Sequence, residues 1–433
     1  MNGNSYRRVF LGTSVTGLIG GLAGCSGRSE SPQTDETPDS LKDAEEADES
    51  NSTNTAEEIK ITGEYRTYGY SSIRDHHGSD ESPLNSKRSL RSVWGHDVKA
   101  NQQPIISEGT VYLPGSDGKL YALDATTGEE LWTKSTDFYL GATPTVDREN
   151  IYLPTGSNKI RCFRRSDGQP IWDANYGSSV DVPVSVVDDV VVARADQLIG
   201  LSVDRGKEVW SLEDRGDRWD DPETYRFTPA VSDNTVYIPG REGINMIDAP
   251  TGDRKNLIHM PEEHSGTSGS IIKEGEIIQP MGIESYPGKV NSQIVNYGVG
   301  VYSPTEGRKW VKPDISEDGA SVAVVDSVHI YTYVPNRGLL ALSRKDGSVI
   351  WEVEEWGMPV MVGEGDSRQL IFASRETDYL TEISSYTPDG EKLWSEELEF
   401  GVSMRPVVVD QSVLVSGDGG TFIFTLQEGQ LPS

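Results

Sequence analysis

The sequence predicts an all-β chain, an eight-bladed β-propeller of four-stranded antiparallel blades, and three observations predict it. Tryptophan returns at near-fixed spacing, as Trp94, Trp132, Trp172 and Trp210 and, after a gap, as Trp310, Trp351 and Trp394. Repeats of about 40–45 residues built from short strands mark a propeller. Each tryptophan follows β-rich runs of three to five residues split by Asp-Gly or Thr-Gly pairs, the residues of tight hairpin turns. Finally, Trp94 stands ahead of the first complete repeat, while the last repeat has no closing tryptophan. Residues 91–98 are therefore expected to supply the outer strand of the last blade, closing the ring and removing its exposed edges.

Before the ring, residues 1–24 read as an export signal and are set aside from the fold. Arg7 and Arg8 precede a weakly apolar, Gly-rich run that ends Leu22, Ala23, Gly24, Cys25. The run is too short and polar for a membrane span. The arginine pair resembles a twin-arginine export signal, and the last four residues resemble a lipobox, which makes Cys25 the expected lipid-attachment residue. Residues 25–60 then form an acidic tether with too little apolar content to fold. Asn51, Ser52 and Thr53 match a glycosylation acceptor. Residues 61–90 are a leader rich in tyrosine (Tyr65, Tyr68, Tyr70), carrying also Arg74, His76 and His77.

The ring itself is expected over residues 91–426, with 427–433 as a tail. In the clearest repeat Val111, Tyr112 and Leu113 precede Asp117-Gly118, then Leu120 to Asp124, then Thr127-Gly128 and Trp132. The second runs from Ile151 to Trp172 and the third from Val190 to Trp210. In the fourth, Leu257 falls near the tryptophan position. The stretch 258–310 is degenerate, so seven blades remain the alternative if it is a long insertion. The sixth and seventh repeats end at Trp351 and Trp394, and the eighth carries Val413 to Val415 and Phe422 to Leu426.

A formal net charge of −30 and a pI near 4.5 argue against nucleic acid, whose phosphates require a basic face. Such a surface suits concentrated salt, where charge repulsion is screened, so a salt-loving source is expected, with an ordinary acidic exported protein as the alternative. Of two cysteines only Cys162 remains after Cys25, and it reads as a small strand residue.

The chain shows no nucleophile elbow, and none of its six histidines has metal-ligand spacing. Ser265 to Gly269 reads as a flexible linker. Specific binding is expected where the repeat breaks down: Asp214 to Arg226, with Trp219 and Tyr225, and Met281 to Tyr297, with Tyr286, are the candidate binding loops.

Ala122 to Trp132 (Ala-Leu-Asp-Ala-Thr-Thr-Gly-Glu-Glu-Leu-Trp) resembles the repeat signature of pyrroloquinoline-quinone (PQQ) propellers, over about residues 91–426. That resemblance implies that Trp94, Trp132, Trp172, Trp210, Trp310, Trp351 and Trp394 dock neighbouring blades. It also opens the alternative of a quinone-dependent oxidoreductase with PQQ and calcium on the axis. Against it stand the lack of a vicinal cysteine pair and of acidic ligands at motif spacing. The chain is also similar to the outer-membrane assembly-factor (BamB-like) propeller lipoproteins. The expectation is accordingly a membrane-anchored, extracytoplasmic module that binds or scaffolds a protein partner, monomeric, without cofactor and not an enzyme.

Overall fold

Eight β-sheets form in the computed structural model, which describes residues 61, 88–136, 140–175, 182–194, 197–212, 227–240, 243–262, 264–284, 294–363, 365–377, 380–417 and 419–428. These all belong to the unit Glu58–Ser433. Arg7, Arg8, Cys25, Asn51, His76 and His77 lie outside the described residues. Among the described residues one 3-10 turn, Gly365–Ser367, is the only helical element, and no helix is long and apolar enough to cross a membrane.

The first blade explains the others. Ile105–Ser107, Thr110–Pro114, Lys119–Asp124 and Glu130–Ser135 pair in chain order as an antiparallel meander. The inner three strands are almost wholly buried, because both faces of the sheet meet a neighbouring blade. They therefore read as continuous apolar runs, while the outer strand is open to solvent along most of its length. The turn before that outer strand is set by Asp124, whose Oδ1 accepts the backbone N–H of Thr126 and Thr127 at 2.9 and 2.8 Å. Gly128 follows at φ +75°, a conformation that costs glycine little and other residues more.

Ring closure occurs as the sequence predicts. Arg88–His96 pairs antiparallel with Gly420–Glu428, so the final blade takes its outer strand from the N-terminal side and its other three from the C-terminal side. The ring has eight blades: the stretch left open between insertion and blade is a sheet. His264–Gly266 and Ile271–Lys273 both pair with Glu276–Glu284, which pairs with Ile294–Ser303 and through it with Gly307–Ser316.

Two local expectations change. Ser265 and Gly266 are no linker: they pair with Gly282 and Met281 and are buried. Their small side chains suit close packing, since a Cβ on Gly266 would lie 2.5 Å from Pro239. The tryptophan position of the fourth blade is held by Asn256, not Leu257. Asn256 faces Met246 just ahead of a register shift, as Trp132 faces Ala122 just ahead of the same shift in the first blade.

At the joints between blades an indole lies over the glycine turn of the next blade. Trp94 covers Gly128, Trp132 covers Gly168, Trp172 covers Gly206, Trp210 covers Gly252, Trp310 covers Gly347 and Trp351 covers Gly390. In each case Nε1 donates to a backbone carbonyl of that turn region: Ala125, Arg165, Val203, Ala249, Arg344 and Pro388, at 2.7–3.2 Å. Trp394, at the joint to the closing blade, is buried, and its Nε1 has no acceptor among the described residues.

Candidate binding face

Backbone geometry decides which segments share a face of the ring. Connectors that lead from one blade to the next meet the hairpins joining second and third strands: Ala100 bridges Gly115, Leu140 bridges Thr155 and Val402 bridges Gly417. Thr267 N donates to Pro280 O at 3.1 Å in the same way. The described ends of both candidate binding loops lie on this connector face: Leu212 and Phe227 end a connector, and Glu284 and Ile294 end a hairpin. Trp219, Tyr225 and Tyr286 themselves lie outside the described residues. The second loop is shorter than its sequence bounds, because Met281 to Glu284 and Ile294 to Tyr297 continue the strand pairing of the fifth blade.

In five of the eight blades the connector ends in an X-Pro step directly before the inner strand, at Gln103-Pro104, Thr143-Pro144, Thr228-Pro229, Met358-Pro359 and Arg405-Pro406. Proline lacks the N–H that a strand interior needs, and is tolerated at the first residue of a strand. Side chains here stitch neighbouring blades together. Gln103 Nε2 donates to Arg405 O at 2.7 Å, Thr145 Oγ1 to Val184 O at 2.7 Å and Ser185 Oγ to Pro229 O at 2.6 Å. Arg405 reaches from the eighth blade to Ala323 O of the sixth (3.4 Å) and to Met358 Sδ (2.8 Å). It is the single charge among these five X-Pro positions.

Beside it, the connector into the seventh blade turns Glu355 inward and Trp356 outward. Glu355 accepts from Tyr386 Oη, from Ser374 Oγ at 2.9 Å and from Lys392 Nζ at 3.3 Å. Trp356 is 46% exposed, an aromatic surface on the connector into the seventh blade. A cleft of about 470 Å³ lies elsewhere, between the first and second blades, over Tyr112, Trp132 and Arg165, with exposed Leu131 and Ile171 at its lip.

The described histidines are scattered. His329 belongs to a buried cluster in which Asp326 accepts from Tyr331 Oη (3.0 Å), meets the His329 ring (3.2 Å) and pairs with Arg368 (2.8 Å). Burial pushes Asp326 up, but the bonds from the His329 ring and backbone and from Val328 N outweigh it and hold the carboxyl at about 2. His96 accepts Val98 N, His259 is exposed on an outer strand, and His264 sits in a short strand of the fifth blade. Sequence reading missed Arg405 and Trp356. The recurring X-Pro step could have marked the first, but nothing in the sequence separates Trp356 from the repeat tryptophans except its offset of five residues from Trp351.

A quinone held by calcium is the group that the repeat implies. None of the described residues forms a group of three or more His, Cys, Asp or Glu side chains able to hold a metal ion. The side chains named above at the X-Pro steps include no carboxylate, the charged ligand a calcium site draws on, and the Gln103 amide and the Thr145 and Ser185 hydroxyls are engaged in bonds between blades. Cys162 is buried in a strand, and burial pushes its thiol up to about 12, so it supplies no redox-active partner to a quinone. These residues do not fit the group.

The relatives nevertheless correct one expectation. The chain is 26% identical over 220 residues to the quinoprotein alcohol dehydrogenase PedH of Pseudomonas putida, an overlap of 47% of this chain and 31% of that enzyme, so it spans about a third of that relative's length. Its fold matches the quinohemoprotein alcohol dehydrogenase of Comamonas testosteroni with a TM-score of 0.63 at 13% identity, over 87% of this chain and 82% of that one. An expectation of no enzyme activity does not stand against a dehydrogenase relative in sequence: the same repeat frames catalysts. The fold also matches BamB of Moraxella catarrhalis, with a TM-score of 0.59 at 15% identity, over 79% of this chain and all of that one. The family profile described as outer membrane protein assembly factor BamB matches residues 89–179 and 116–353, together more than half of the 433 residues. The chain therefore belongs to the family of outer membrane protein assembly factor BamB.

Proposed function

We propose that the protein is a membrane-anchored, extracytoplasmic propeller that holds a protein partner against its connector face, as a module in envelope assembly or maintenance. Membership of the BamB family is the observation that carries this reading. Its export follows from Arg7 and Arg8 and its anchorage from Cys25, on the outer face of the cytoplasmic membrane, with the acidic tether spacing the ring from the lipid. The tryptophans over the glycine turns are joints of the ring, leaving its loops free to recognise a partner. Crosslinking and pull-down from the native membrane surface tests the reading: a discrete protein recovered in stoichiometric amount supports it, and recovery of none contradicts it.

A second reading, quinone-dependent alcohol oxidation, is favoured by the similarity to PedH. Titration of the full chain with pyrroloquinoline quinone and calcium, followed by dye reduction with a primary alcohol, separates the two. Saturable binding with turnover supports the oxidoreductase, and neither binding nor turnover leaves the partner-binding module.

A further inference from the structure

Seven of the eight joints between blades hold a repeat indole, and the joint between the fourth and fifth blades does not. There Asn256 occupies the tryptophan register, and its Nδ2 donates to Pro304 O at 3.3 Å. Pro304 stands three residues before Gly307, as Ala125 stands before Gly128 and Arg344 before Gly347, so the amide takes over the hydrogen bond that an indole makes elsewhere. The ring is not replaced. A Cβ built on Gly307 meets nothing within 4 Å, whereas at the six covered turns it would lie 2.3–2.8 Å from an indole atom.

The interior of this joint is also built differently. Its apolar cluster brings Met246 of the fourth blade and Met260 of the following connector together with Met281 and Tyr302 of the fifth blade, all buried. Three of the seven methionines of the chain meet here. Methionine is unbranched and adaptable, so it fills space without fixing one packing. Tyr302 is fully buried, yet its hydroxyl has no hydrogen-bond partner among the described residues, which leaves the loss of its water uncompensated. The cluster between the sixth and seventh blades is the contrast: it buries one methionine, Met361, among Val324, Leu339, Leu370 and Phe372, and Trp351 packs against it.

We infer that the joint between the fourth and fifth blades is a seam at which the ring opens, its two blades parting while the indole-bearing joints stay closed. Proteins open locally where packing is least, and this joint lacks the large ring that spans the others. Opening also gives the Tyr302 hydroxyl the water that the closed joint denies it. The pairing of Arg88–His96 with Gly420–Glu428 that closes the ring lies in the eighth blade, so the seam is a separate place where the structure yields. The inference goes beyond the partner-binding reading and is tested without a partner.

The test is oxidation of the full chain by hydrogen peroxide, read methionine by methionine by peptide mass spectrometry. Met281 and Met361 are both fully buried, so each thioether meets peroxide only when its own joint opens. Met281 is expected to oxidise at least tenfold faster than Met361. Asn256→Trp supplies the missing indole, and is expected to raise Tm and to slow Met281 at least tenfold while leaving Met361 unchanged. Asn256→Ala removes only the amide, and serves if the larger side chain prevents folding: it is expected to speed Met281 severalfold, again without effect on Met361. Equal rates at the two methionines in the wild type overturn the seam, because oxidation then follows unfolding of the whole ring. A folded Asn256→Trp that oxidises at Met281 like the wild type, or an Asn256→Ala in which both methionines speed up together or neither does, overturns it as well.

Discussion

Trp94 lies directly over Gly128, and the two residues join the N-terminal strand of the closing blade to the first complete blade. A Cβ on Gly128 would stand 2.6 Å from the indole, whose Nε1 donates to Ala125 O at 2.8 Å. The geometry ties ring closure to a glycine that is conformationally and sterically obliged.

Gly128→Ala and Gly307→Ala form a matched pair that separates these two obligations. Both glycines have positive φ, so each substitution carries a backbone cost of about 1 kcal/mol. Only Gly128→Ala also drives a methyl into an indole, adding about 1–3 kcal/mol of overpacking. Urea denaturation is expected to find Gly128→Ala the more destabilised, and equal losses would count against the joint.

The frame of the ring was legible because the apolar runs, turn glycines and tryptophans repeat together. What escaped is local. Asn256 was misplaced by one residue because a register shift follows Met246, and a bulge cannot be counted from spacing alone. Ser265 and Gly266 look like linker by composition, yet pairing with Gly282 and Met281 makes them strand, tertiary context overriding propensity. At the candidate face, Trp356 sits on a connector outside the repeated pattern, so periodicity pointed away from it, while Arg405 lies in an X-Pro step whose recurrence is weaker than that of the tryptophans.

Trp172 tests how much of a joint is hydrogen bond and how much is ring. Its Nε1 donates to Val203 O at 2.7 Å, and the indole covers Gly206. Trp172→Phe keeps most of the ring and loses the donor, for an expected cost of about 1–2 kcal/mol. Trp172→Ala removes both, for about 3–5 kcal/mol. Chemical denaturation of the two variants reads the difference, and equal losses would assign the joint to the hydrogen bond alone.

Asp326 predicts an acid limb to stability. Its carboxyl is held at about 2, below the ordinary aspartate value of about 3.9, so the folded state favours the charged form. The contribution is therefore fully present above pH 4 and is lost as pH falls toward 2, amounting to about 2 kcal/mol. Asp326→Asn is expected to lower stability at pH 6 and to flatten the decline between pH 4 and 2. An unchanged acid limb in that variant would assign the decline to other carboxylates.

Glu355 predicts a local cost at the connector face. Removing it by Glu355→Ala leaves Tyr386, Ser374 and Lys392 without their shared acceptor. Loss of a buried, hydrogen-bonded charge is expected to cost about 3 kcal/mol, with Glu355→Gln recovering part of it. Thermal unfolding of the two variants checks the order.

The most direct measurement of the account as a whole is photocrosslinking from the connector face in native membranes, with a photoreactive residue in place of Trp356 and, as control, in place of Val209 on the outer strand of the third blade. A discrete protein adduct from position 356 and none from 209 is the predicted result. No adduct from 356, together with alcohol-dependent dye reduction once quinone and calcium are supplied, would contradict it.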